Sequence, residues 1–370
     1  MNRAYYLNLA ASGRPMVFGT HLVLQEHADA SDIVTDGRRL GEVVLEAAQR
    51  FDAPLALPLM DLELEKLHLH TLLGGQSDDP AAWHLREPLA PEQLQSLEAK
   101  LSGPLSPRIK AVCGAIAYVA EHSDCVPTGM CIGPFSLVTK LLQDPITPVA
   151  MAGMGLSAAD DKDIALLEQA LEISVRVLER YIEAQAEAGA RVIVVCEPAA
   201  NVVYFSPNQM DAGSDIFDRF VIEPNRRLRV LLDRLGVDLI LHDCGELTDV
   251  MVRKLASLDP VILSLGSSRK LWQDAALVPK DVVLFGNLPS KRFYSDTEIS
   301  TWEVAQMAAE LSARMAATAH PFILGTECDV LSVPGCEEAI WAKVDAVLAA
   351  GRMASHKAPV LVELQEAAGG

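Results

Sequence analysis

From residue 191 onward the chain repeats one unit, and that repeat limits the folds open to it. Residues 191–196 (RVIVVC), 237–242, 261–265, 281–285 and 321–324 are short apolar runs, each ending in a polar or glycine-containing turn. Longer amphipathic patterns at 215–235, 247–258, 298–319 and 337–350 fall between them or after them. Short buried strands alternating with helices are parallel βα units, because a parallel return needs a crossover long enough to hold a helix. Earlier, residues 53–60 (APLALPLM) and 125–132 (CVPTGMCI) read as two more strands, with helices at 37–51, 91–101, 108–121, 135–142 and 158–189. Residues 359–364 read as a last strand. Six to eight such units favour a closed (β/α)8 TIM barrel, with an open doubly wound sheet as the runner-up. We expect residues 1–52 to be an N-terminal extension packing on the barrel, with a hairpin at 15–25, and residues 53–370 to be the catalytic barrel. Residues 74–91 are turn-rich and read as a lid or an excursion.

Charge narrows the partners. With 31 basic and 50 acidic residues the formal charge is -19, a field that repels phosphate backbones and argues against nucleic acid. No run reaches the ~18 apolar residues of a membrane helix and no secretory leader is visible, so a cytoplasmic protein without a membrane span is expected. Seven scattered cysteines fit a reduced compartment better than a disulfide framework. No GxGxxG or P-loop motif supports a nucleotide cofactor.

The chemistry gathers at strand ends. Residues 239–246 (LILHDCGE) put His242 and Cys244 two apart, on one face of an extended backbone. An imidazole and a thiol side by side suit zinc, and Cys328, at the end of another apolar run, is the candidate third ligand. Three protein ligands leave a position open, the mark of a catalytic zinc. The plainer alternative is that these are separate core cysteines and that His242 is a satisfied buried histidine. Asp61 and Glu197 also end strands, and each reads as a catalytic acid or base, or else as a salt-bridge or capping residue; Glu197 also reads as a transient fourth ligand. Asn287 reads as a substrate contact or a turn residue, and Tyr204 as a pocket wall or a core aromatic. Cys196 is expected to pack behind its strand, opposite Glu197. His68 and His70 read as surface or packing residues.

The segments PLMDLELEKL, CIGPFSLVTKLL, LHDCGE, LFGNLPS and FILGTECDVLSVPG resemble, over about residues 53–350, the uroporphyrinogen decarboxylase superfamily. Within it they are most similar to the zinc-dependent, corrinoid-linked methyltransferases, which include the methylcobamide:coenzyme M and O-demethylase types. The resemblance implies a (β/α)8 barrel and His242, Cys244 and Cys328 as zinc ligands. It also implies methyl transfer between a small methylated substrate, such as a methyl aryl ether, or a thiol and the cobalt of a corrinoid protein. The chain has no D-x-H-x-x-G motif of its own, so the corrinoid (cobalamin) would sit on a partner protein. The resemblance allows a monomer or a homodimer.

Asp243 between two of the ligands and Glu327 before the third depart from that pattern and are expected to add negative charge near the site. The arginine-rich N-terminal motif of the true decarboxylases is missing, which disfavours the second reading, a metal-independent decarboxylase. A third reading is a non-catalytic barrel that binds a small ligand or a corrinoid partner.

Overall fold

The computed structural model describes residues 2–75 and 79–355. Seven strands lie side by side in chain order: β1 (Leu55–Ala56), β2 (Val126–Ile132), β3 (Val192–Cys196), β4 (Asp238–Asp243), β5 (Ile262–Leu265), β6 (Val283–Leu288) and β7 (Phe322–Thr326). Every neighbouring pair is parallel. A doubly wound sheet must reverse its strand order at a switch point, and this order never reverses. The fold is therefore α/β of the TIM-barrel type.

Strand parity sorts the side chains. In β3, Val192, Val194 and Cys196 join the cluster that fills the barrel, with Met130, Ile240 and Phe285. Ile193 and Val195 face the surrounding helices. Both faces are apolar because both are covered, as a parallel barrel requires. Each fully buried valine or isoleucine contributes about 1.5–3 kcal/mol. The longest helix, Lys162–Glu187, starts where the Asp161 carboxylate accepts from the N–H groups of Asp163 and Ile164, filling donors that a helix start leaves open. Gln185 on this helix accepts from Met130 N and donates to Met130 O, so β2 is held to its covering helix by a fully buried amide.

The N-terminal region differs from the expected hairpin. Met16 pairs in parallel with Gly325 of β7, and its N–H donates to Leu324 O at 2.9 Å. Phe18 N–H donates to Thr326 Oγ1, and Thr20 Oγ1 donates to Leu57 O just after β1. Residues 16–20 thus bridge β7 and β1 in the place of an eighth strand, and a helix, Thr20–Gln25, follows where the second hairpin arm was expected. Glycine at 325 permits this approach: a Cβ there would stand 2.5 Å from Met16 O and 2.2 Å from the Phe285 ring. The helix Arg3–Ala11 plugs the opposite end of the barrel. Its Arg3 donates to the carbonyls of Asp259, Pro260 and Asp281, and Tyr6 Oη donates to Asp238.

β1 is far shorter than residues 53–60, since Pro54 and Pro58 flank it and proline brings no N–H to a ladder. β6 runs on through Asn287, which was expected just past the strand. His68 and His70 are buried on the helix Leu64–Leu72. The expected strand at 359–364 and residues 76–78 of the 74–91 excursion lie outside the described residues. Among the described residues no helix is long and apolar enough to cross a membrane.

Candidate metal centre

His242 is the last inward-facing residue of β4. Its register partner on β5 is Ser264, and Nδ1 lies 2.9 Å from Ser264 Oγ. That contact fixes the ring and leaves Nε2 to face the site. Nε2 is buried and has no hydrogen-bond partner among the described residues. Leaving a buried ring nitrogen unpaired costs about 1–3 kcal/mol, so the orphan atom asks for a ligand. Phe18 packs edge-on against the same ring, with centroids 5.5 Å apart.

Cys244, two residues on, and Cys328, just past β7, bring their sulfurs to 3.7 Å. Neither is in a disulfide. The ligand atoms of His242, Cys244 and Cys328 all lie within 4.8 Å of one another. Two sulfurs bound at about 2.3 Å to a tetrahedral ion stand roughly 3.8 Å apart, so the thiol pair already has the spacing zinc needs. Cys244 is held well below the usual thiol range, first by its hydrogen bond with Cys328 and then by His242, and the same contact pushes Cys328 up. Met60, the last residue of its apolar run, puts its thioether 3.7 Å from Cys328 Sγ.

The loops around the ligands are braced. Asn287 donates from Nδ2 to Gly266 O at 2.7 Å and to Arg269 O at 2.9 Å. Gly266 lies against the Cys244 backbone so closely that a Cβ would meet Cys244 O at 2.7 Å. Asn287 therefore holds the loop that backs a ligand. Ser267 N–H donates to Glu327, and Ser290 Oγ donates to Cys328 O. Asp243 faces away from the barrel, fully buried, and accepts from Gly245 N–H at 2.8 Å. Burial raises its pKa well above the carboxylate range.

The other strand-end carboxylates are engaged elsewhere. Glu197 turns away from the lumen: Oε1 accepts from Ser136 N–H at 2.6 Å and Oε2 from Asn225 Nδ2 at 3.0 Å. It caps the helix Pro134–Leu141 and ties it to the helix Glu223–Leu235. Burial raises its pKa to about 7 against those two bonds. Cys196 takes the lumen side, as the register partner of His242, and not the position behind the strand. Asp61 pairs with Arg108 and accepts from Glu63 N–H. Tyr204 is half-buried and edge-on to Phe135 at 5.6 Å.

Sequence reasoning missed Ser264, Met60 and Phe18. Only Ser264 carried a signal, as the lone polar side chain inside an apolar run.

The uroporphyrinogen decarboxylase (URO-D) family model matches residues 22–347. A 144-residue stretch is 30% identical to the methylcobamide:CoM methyltransferase MtaA of Methanosarcina barkeri, and 29% identical to that of M. barkeri strain Fusaro / DSM 804. Each match covers 39% of this chain and 38% of the relative's length. Among solved structures, a methyltransferase from Methanosarcina mazei superposes with a TM-score of 0.63 over 94% of this chain and 98% of that one, at 17% identity, a likeness of fold. With the family match running across nearly the whole barrel, the chain belongs to the uroporphyrinogen decarboxylase family.

Proposed function

We propose that this protein is a zinc-dependent methyltransferase that moves a methyl group between a small methylated substrate or a thiol and the cobalt of a separate corrinoid protein. The observation that carries the reading is the buried, unpartnered His242 Nε2 beside two thiols at tetrahedral spacing. The partial similarity to MtaA supports the same reaction class. His242, Cys244 and Cys328 would hold the metal, and when bound it would supply a Lewis acid to which a soft heteroatom can be held. The chain's own part is positioning. Ser264 sets the imidazole tautomer and ring angle, Asn287 and Ser290 brace the two thiol-bearing loops, and Phe18 with Met60 makes the floor apolar. Seven free cysteines support a reducing compartment, which we take to be the cytoplasm.

The deciding experiment is zinc analysis of the purified protein beside Cys328→Ser, with methylcobalamin as a methyl donor to a small thiol. About one zinc per chain is expected in the wild type, with metal and transfer lost together in the variant. A variant that keeps full zinc sinks the ligand assignment, and a wild type that holds zinc but transfers no methyl group sinks the reaction.

A further inference from the structure

Directly after β5, residues 266–269 (GSSR) run between the two thiol-bearing segments and bond to both. Gly266 N–H donates at 3.1 Å to the carbonyl of Asp243, the residue before Cys244. Ser268 Oγ donates at 3.1 Å to the carbonyl of Gly245, the residue after it. Ser267 N–H reaches the other way, to Glu327 Oε2 at 3.0 Å, beside Cys328. Arg269 ends the run and anchors it. Its guanidinium donates to Leu247 O at 2.8 Å and to Asp249 Oδ1 at 2.7 Å, on the stretch that leads from Cys244 into the helix Asp249–Ala256. The same group pairs with Asp274, a carboxylate with no exposure, while Arg269 itself is 14% exposed. Its carbonyl accepts from Asn287 on β6 at 2.9 Å. One planar fork of donors thus serves Asp274, Asp249 and Leu247 O together, which a single ammonium cannot do.

We propose that Arg269 is a positioning residue of the metal centre: by anchoring residues 266–269 it fixes the segment that carries Cys244 against the segment that carries Cys328. The inference rests on the metal reading of the site above and is independent of which molecule is methylated. Arg269 touches neither thiol, so its effect passes through the backbone at Leu247 and through the run itself. Ligands already held at the spacing an ion needs lose little freedom when it binds. With the fork gone, the Cys244 segment is tied to the run only by the bonds of Gly266 and Ser268, and ordering it becomes part of the cost of binding.

The test uses the full-length protein with Arg269→Lys, which keeps a cation beside Asp274 but loses the fork. Its control is Arg229→Lys, the same change at a comparably buried arginine, 19% exposed, that bridges Asp233 and Asp259 at the opposite end of the barrel. Zinc affinity is measured by competition with a chromophoric chelator. Cobalt(II), bound in place of zinc, reports ligand geometry through its d–d and thiolate charge-transfer absorption. In Arg269→Lys zinc affinity is expected to fall about tenfold, with the cobalt bands altered, while Arg229→Lys matches the wild type in both. If Arg269→Lys does not fold, Asp249→Ala cuts only the exposed arm of the fork and should shift both readouts in the same direction by less. Wild-type affinity and an unaltered cobalt spectrum in the variant that folds overturn the inference. An equal loss in Arg229→Lys overturns it too, by making the effect one of general stability. A wild type that takes up neither ion overturns the metal reading and this inference with it, and counting metal in the wild type tells that failure apart from the other two.

Discussion

Two quadrants of the same barrel rim present polar residues at strand ends, and they behave oppositely. On the β4 and β7 side, His242, Cys244 and Cys328 converge with a buried nitrogen left open. On the β1 and β3 side, Asp61 and Glu197 have their oxygens taken by Arg108, Glu63 N–H, Ser136 N–H and Asn225. Both quadrants satisfy the rule that functional residues follow barrel strands. The difference lies in parity and in satisfaction. His242 faces the lumen and lacks a partner at Nε2, whereas Glu197, one step out of phase with the lumen row, faces the helices and serves as their cap. A strand-end carboxylate whose lone pairs are filled by the fold is a brace.

That contrast can be broken by mutation. The largest effect is expected for Cys244→Ser, which should lower metal affinity by more than the ~10–100-fold typical of losing an outer partner; competition with a chromophoric chelator measures it. Ser264→Ala removes only the support of Nδ1 and should fall within that ~10–100-fold range. Metal affinity unchanged in Ser264→Ala would mean that the ring is positioned by Phe18 and packing alone.

On the other side of the rim the expected readout is stability. Glu197→Gln places an amide N–H2 where both neighbours donate, which should cost about 1–3 kcal/mol in urea unfolding with zinc retained. Intact stability with lost methyl transfer would instead bring Glu197 into the chemistry. Its pH signature has a definite sign. The folded pKa is raised to about 7 from 4.5, so the native state holds a proton that the unfolded chain releases. The associated stability is fully present below about 4.5 and is lost as pH rises through about 7. Glu197→Gln should flatten that part of the stability–pH curve. The smallest effect belongs to Asp61→Asn. Its pair with Arg108 is partly exposed, so less than about 1 kcal/mol is expected, with little change in metal affinity; a large loss of either would place Asp61 in the working part of the rim.

Particular residues show what could be read early. The apolar run to Cys196 and the run to His242 revealed β3 and β4 because a strand buried on both faces needs nothing but apolar side chains. The same uniformity hid the facing: a run apolar on both sides does not say which parity points inward, so Cys196 and Glu197 were assigned to the wrong sides. Met16 fell within the expected hairpin, but its partner was not legible, since the pairing depends on the missing side chain of Gly325, more than three hundred residues away in the chain.

The sequence by itself determined the alternation of strands and helices, and hence the parallel barrel, and it singled out His242, Cys244 and Cys328 as candidate ligands. Periodicity is local, and thiols with an imidazole at strand ends keep their chemical identity in any fold. Only the tertiary structure decided which polar side chains stay unpartnered. Hydrogen-bond satisfaction is a property of neighbours brought together by folding: it turned Glu197 and Asn287 into braces and set Ser264 behind His242.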